Sequence, residues 1–228
     1  MGSIFDMDGS LTKALNGFAD IVVMSLWWFV GCLPLVTIGA STTALYYAAL
    51  KSLQQDGSVT KNFWRSFKEN WKQATVLQGI FMVWGLFLYV LYSLTYGNPA
   101  GSGLVFQMLF QVLFFVVMLF GSFVFPILAR FVNTIPMLFR NALIMSLGDV
   151  PRAVLILLIN ALPVLLLFLR IDWFFTALPI LIALIPGTMA TMNGNMFLKI
   201  FNKYIPKEVI DQEIESTQNL GTFHVEDE

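Results

Sequence analysis

The sequence predicts an all-α fold: a polytopic membrane helix bundle of about five transmembrane helices, with amphipathic interfacial helices on the cytoplasmic side. Three observations lead there. Of the 228 residues, 57% are hydrophobic and only 12% are charged. That is too little charge to cover the exterior of a soluble domain of this length. Five apolar segments, at about 20–38, 74–95, 104–129, 153–170 and 173–196, are each long enough to cross a bilayer, since ~20 helical residues span a ~30 Å hydrocarbon core. The cations are segregated: 11 of the 13 Lys and Arg residues fall in the segments 51–73 and 130–152 or after the last span. The positive-inside rule then places the N-terminus outside and the C-terminus inside, and an odd number of spans agrees.

The first span presents a length problem. From Ile21 to Leu50 there is no charged residue. One straight helix of that length would measure ~45 Å, and two full spans need about 40 residues. A break is expected between Pro34 and Gly39. Ser41 or Thr42 suits the cap of a new helix. Ala44 to Leu53 then lies at the cytoplasmic interface, with Tyr46 and Tyr47 at headgroup depth. The corner residues Pro34, Thr37, Gly39, Ser41, Thr42, Thr43, Tyr46 and Tyr47 are mainly structural in this reading, and a binding role is the sharper alternative. Cys32 sits in an apolar run and is a small buried residue rather than a reactive thiol. The segment before Ile21 carries Asp6, Asp8 and Asp20 against Lys13, so the basic start of a signal peptide is missing.

Ahead of the second span, Phe63, Phe67 and Trp71 recur at helical spacing. Lys61, Arg65, Lys68 and Lys72 lie mostly on the opposite side. This basic interfacial helix is expected in the headgroup layer, leading into the span. The loop Y-G-N-P-A-G-S-G (96–103) is a flexible outer turn. The third span carries Gln107 and Gln111 on one face. The loop 134–149 reads as a second amphipathic helix, with Ile135, Leu138, Phe139, Ala142 and Leu143 on one side, and Pro151 suits the first turn of span four. Span four contains Asn160. Span five contains Pro179 and Pro186, then Gly187, Ala190, Thr191 and Gly194: a bent, smooth helix that packs closely on a neighbour. Asn193 and Asn195 follow. Residues 1–206 form one helical domain. Residues 207–228, with net charge −6, form an acidic tail expected to be disordered.

Chemistry is sparse. No charged residue falls between Ala74 and Ala129, and His224, the one histidine, lies in the tail. A zinc helix, a His-based triad and phosphate-cradling loops are all missing. No catalytic residue, cofactor or metal is expected, and no nucleic-acid partner. Gln107, Gln111, Asn160, Asn193 and Asn195 remain as uncharged polarity, read as interhelical hydrogen bonds or as a polar path for a neutral solute.

The stretches L-P-L-V-T-I-G-A-S-T-T-A-L-Y-Y (33–47), F-W-R-S-F-K-E-N-W-K-Q (63–73) and F-P-I-L-A-R-F-V-N-T (125–134) resemble, in order and spacing, the YesL-like family of bacterial integral membrane proteins, a domain of unknown function. The opening M-G-S-I-F and Asp20 also fit. Ser25 departs from the pattern, since family members often carry Asn there. The resemblance implies a bacterial plasma membrane location and genes that lie beside those for carbohydrate uptake by ABC transporters. It brings no catalytic residues. The expected role is an accessory or regulatory partner of a sugar ABC transporter, embedded in the lipid bilayer. The alternative is a small permease or channel working as a homo-oligomer on a neutral solute such as an oligosaccharide.

Overall fold

The computed structural model describes residues 4–95, 102–131, 133–169 and 171–204. The acidic tail and residues 96–101 of the outer loop lie outside them. Among the described residues seven α-helices follow in order: α1 (Ile4–Cys32), α2 (Ile38–Leu53), α3 (Val59–Thr95), α4 (Ser102–Arg130), α5 (Ile135–Gly148), α6 (Val150–Leu169) and α7 (Ile171–Tyr204). Four contain stretches long and apolar enough to cross a membrane: Thr12–Cys32, Val59–Ser93, Val105–Arg130 and Pro179–Tyr204. Ile135–Gly148 and Val150–Pro163, bent by 108° at their junction, make a fifth if taken as one broken span. The architecture is the polytopic helix bundle expected from composition.

The predicted break occurs, with different edges. The first span ends at Cys32 rather than at residue 38, and a 3₁₀ turn covers Leu35–Thr37. Pro34 adopts an extended conformation there, because its fixed φ and missing N–H prevent the helix from continuing. The new helix starts at Ile38, so Ser41 and Thr42 lie inside it rather than at its cap. Thr37 occupies the cap position without a side-chain cap bond to the helix.

The larger correction concerns α2. An interfacial helix would have one face toward water. Instead Gly39, Ala40, Ser41, Thr43, Ala44, Leu45, Tyr46, Ala48, Ala49 and Leu50 are all buried. The helix contacts α1, α3, α4 and α7 and forms the centre of the bundle. Its small residues explain this placement, since without a hydrophobic drive between apolar helices, association rests on close backbone approach and interhelical hydrogen bonds. A Cβ on Gly39 would lie 2.6 Å from the Ala74 carbonyl oxygen of α3. The α2–α3 turn uses Gln55 and Gly57, both at positive φ.

The basic segment and the second span are one continuous helix, α3. Phe63 is buried and Phe67 half-buried, while Trp71 is exposed. Their face packs on protein rather than lipid: Trp64 meets Trp27 edge-on at 5.3 Å, and Phe63 and Phe67 pack around it. In α5 the buried set is Leu138, Ala142, Met145 and Ser146. Leu143, expected on that face, is exposed, because the helix rolls toward Met145.

Several contacts join separate elements of the bundle. Gly39 meets Ala74. Beside it, Gln73 donates through Nε2 to the Asn133 carbonyl at 2.6 Å. Phe131 meets Phe201 edge-on at 5.2 Å, and Lys203 Nζ donates to the Gly148 carbonyl at 3.0 Å. These contacts tie the start of α2 and the α4–α5 turn to the middle of α3, and the last turns of α7 to Phe131 and Gly148.

Candidate functional site

Proline and small residues open space inside the bundle. Pro126, Pro163, Pro179 and Pro186 all lie within helices. Each removes a helical hydrogen bond. Near Pro186, α7 crosses α1 closely. Gly187 N–H donates to Ser25 Oγ at 2.9 Å, and Ser25 Oγ donates to the Ile21 carbonyl at 2.8 Å. The sequence predicted a close crossing for this part of α7, and Ser25 is its partner.

Beside that crossing lies a cavity of about 540 Å³ between α1, α2, α3, α4, α6 and α7. Trp28, Leu45, Phe81, Leu88, Phe114, Met118, Phe125, Pro163, Ile185 and Met189 form most of its wall. Among the described residues, none that lines it is charged. Polar atoms come from Thr42, Tyr46, Ser122 and Asn160. They belong to hydrogen-bonded sets. Asn193 Nδ2 donates to the Tyr46 hydroxyl at 3.2 Å and to Asn160 Oδ1 at 2.8 Å. Asn160 Nδ2 donates to Ser122 Oγ at 3.1 Å, and Ser122 Oγ to the Met118 carbonyl at 2.9 Å. One chain of bonds thus ties α2, α7, α6 and α4 together. Trp28 Nε1 donates separately to Thr42 Oγ1 at 3.2 Å.

The amides singled out in the sequence therefore divide. Asn160 and Asn193 meet, and Asn160 reaches the cavity. Gln111 is exposed and Gln107 half-buried, and neither lines the cavity. Asn195 is exposed and donates to the Thr191 carbonyl of its own helix at 3.2 Å. Tyr46 and Ser122 complete the set. Ser122 has no distinguishing signal in its run of apolar residues, and the sequence places Tyr46 at headgroup depth.

The corner residues close on one another. Thr37 Oγ1 lies 2.7 Å from both the Gly31 and Pro34 carbonyls. Ser41 Oγ donates to the Trp28 carbonyl at 2.8 Å, and Thr43 Oγ1 to the Gly39 carbonyl at 2.9 Å. Tyr47 is half-buried. These bonds satisfy hydroxyls and backbone groups where the chain reverses. On α3, Lys61, Arg65, Lys68 and Lys72 are exposed. Arg65 pairs with Glu69 at 3.1 Å, and Lys72 lies 5.8 Å from the Trp71 ring centroid. Among the described residues, no group of three or more His, Cys, Asp or Glu is placed to hold a metal. The cavity can shelter apolar surface and offer neutral hydrogen bonds. Among the described residues, its lining carries no charged side chain to act as a general base.

Residues 21–92 match the model of a family described as a protein of unknown function, DUF624. The match runs from α1 through the corner and α2 into α3. No curated protein and no solved structure matches the chain. The chain is thus similar, over the segment that builds the corner and the buried helix, to a family of unknown function.

Proposed function

We propose that the chain is a multi-pass protein of the bacterial plasma membrane, of the YesL-like kind, that serves as an accessory or regulatory partner of a carbohydrate (ABC-type) uptake system and is not an enzyme. The observation that carries this reading is the use of its internal polarity. Asn193, Asn160, Ser122 and Tyr46 are engaged with one another across four helices, while Gln107, Gln111 and Asn195 stand away from the cavity. This arrangement favours a scaffold over a continuous solute path. The exposed basic face of Lys61, Arg65, Lys68 and Lys72 supplies a surface for anionic lipid or a partner. The segregation of 11 of the 13 Lys and Arg residues into 51–73, 130–152 and the stretch after the last span supports the N-out, C-in orientation.

Tagged protein from native membranes of cells grown on complex glycans, analysed by proteomics under mild detergent, should co-elute with components of a sugar importer. Elution alone would sink the reading. Cys32→Ser followed by single-cysteine labelling in the segments 51–73 and 96–103 tests the orientation. A second reading, a small oligomeric permease for a neutral solute, is favoured by Asn160 at the cavity wall. Oligosaccharide flux into proteoliposomes separates the two.

A further inference from the structure

We propose that the cavity is a binding site for a long-chain neutral lipid carrying a hydroxyl group, entering sideways from the bilayer. The inference is independent of any uptake partner. Three observations carry it. First, the cavity is of small-molecule size, about 540 Å³ against the usual ~300–1,000 Å³, and its described lining is uncharged. A phosphate or carboxylate headgroup would be desolvated there without a counter-ion. Second, the cavity meets the outer surface of the bundle. Phe114 and Met118 line it and are also 43% and 47% exposed. Their neighbour on α4, Phe115, is also an exposed apolar side chain, so that side of α4 faces hydrocarbon, the medium from which a lipid arrives. Third, the polar groups meet at one patch. The Asn160 amide has two donors and two acceptor sites. Ser122 Oγ takes one donor, Asn193 fills one acceptor site and the Tyr46 hydroxyl is a further partner, so one of the four sites remains for a neutral hydroxyl. Thr42 Oγ1, already accepting from Trp28, keeps its own proton to donate.

The geometry therefore suits a molecule with a hydrocarbon body and a single neutral head. Bilayer lipids of that chemistry are diacylglycerols and polyprenols, and the hydroxyl is their shared feature.

The test uses the full chain in nanodiscs with photoreactive diazirine probes: a long-chain alcohol and the matching alkyl phosphate at equal mole fraction. The expected result is labelling of the Phe114–Phe125 and Ile185–Ala190 peptides, at least tenfold stronger for the alcohol. Gly121→Leu fills the cavity from α4 and should lower labelling at least fivefold. Ala190→Leu fills it from α7 and serves if the first variant does not remain monodisperse. Ser122→Ala should narrow the preference for alcohol over phosphate while keeping the label in place. Diacylglycerol and polyprenol probes then identify the source, and labelling by either supports the site. The proposal is overturned by equal labelling of Leu109 and Val112 on the outer face of α4, by preference for the phosphate, by full labelling of a folded cavity-filled variant, or by failure of both lipid probes.

Discussion

The α1–α7 crossing allows a sharp test of the packing. Replacing Gly187 by Ala would place a Cβ 2.3 Å from the Ile21 carbonyl oxygen and 2.7 Å from Ser25 Oγ. Neither neighbour is the free end of a flexible side chain, so the two helices must move apart until the contact exceeds 3.0 Å. Overpacking of this kind costs about 1–3 kcal/mol. The same displacement stretches the Gly187 N–H bond to Ser25, worth roughly 0.6–2 kcal/mol in a membrane interior. Against this, Ala is favoured over Gly in a helix by about 1 kcal/mol. The net expectation is a loss of roughly 1–4 kcal/mol. Gly79→Ala is the matched control, because a Cβ there meets nothing within 4 Å and only the propensity gain remains. Thermal unfolding of both variants in detergent, with monodispersity followed by size-exclusion chromatography, reads the difference. Gly187→Ala as stable as Gly79→Ala would refute the close crossing and the reasoning built on it.

Further outcomes follow from the polar network and the helix ends. Asn193→Leu removes the donor to both Tyr46 and Asn160 and should cost about 1–3 kcal/mol; a double-mutant cycle with Tyr46→Phe should show coupling, and strict additivity would argue against their bond. Gln107→Leu with Gln111→Leu should change stability by less than about 0.5 kcal/mol, as scored by the same unfolding assay, and a loss comparable to that of Asn193→Leu would put these amides in a helix contact. Lys203→Ala removes the cation that donates to the Gly148 carbonyl at the end of α5; a loss of roughly 0.3–1 kcal/mol is expected, with faster hydrogen exchange confined to the last turn of α5, and unchanged exchange there would contradict the capping role.

The break after α1 was legible because it followed from length and from Pro34. No packing information was needed to see that an uncharged run too long for one crossing and too short for two must bend. The destination of α2 was not legible in the same way. A run of Ala, Ser, Thr and Tyr suits both a headgroup layer and a protein interior, and what decides between them lies far along the chain. Tyr46 finds Asn193 at a separation of 147 residues. The amides show the same limit. Helical spacing placed Gln107 and Gln111 on one face, yet spacing does not say which face meets lipid. For α7, the succession Pro186, Gly187, Ala190, Thr191 and Gly194 was informative, because small side chains admit a neighbouring backbone wherever that neighbour comes from.

The burial of α2 also orders the assembly of the protein in time. Its neighbours are α1 and α3, made just before and after it, but also α4 and α7. Phe197, which meets Tyr46 edge-on at 5.8 Å, is among the last described residues to leave the ribosome. Until α7 is in place, the hydroxyl of Tyr46 lacks its final partner. A helix made early in the chain is therefore among the last to be completed in the fold, and a nascent chain halted before α7 carries α2 as an unfinished surface.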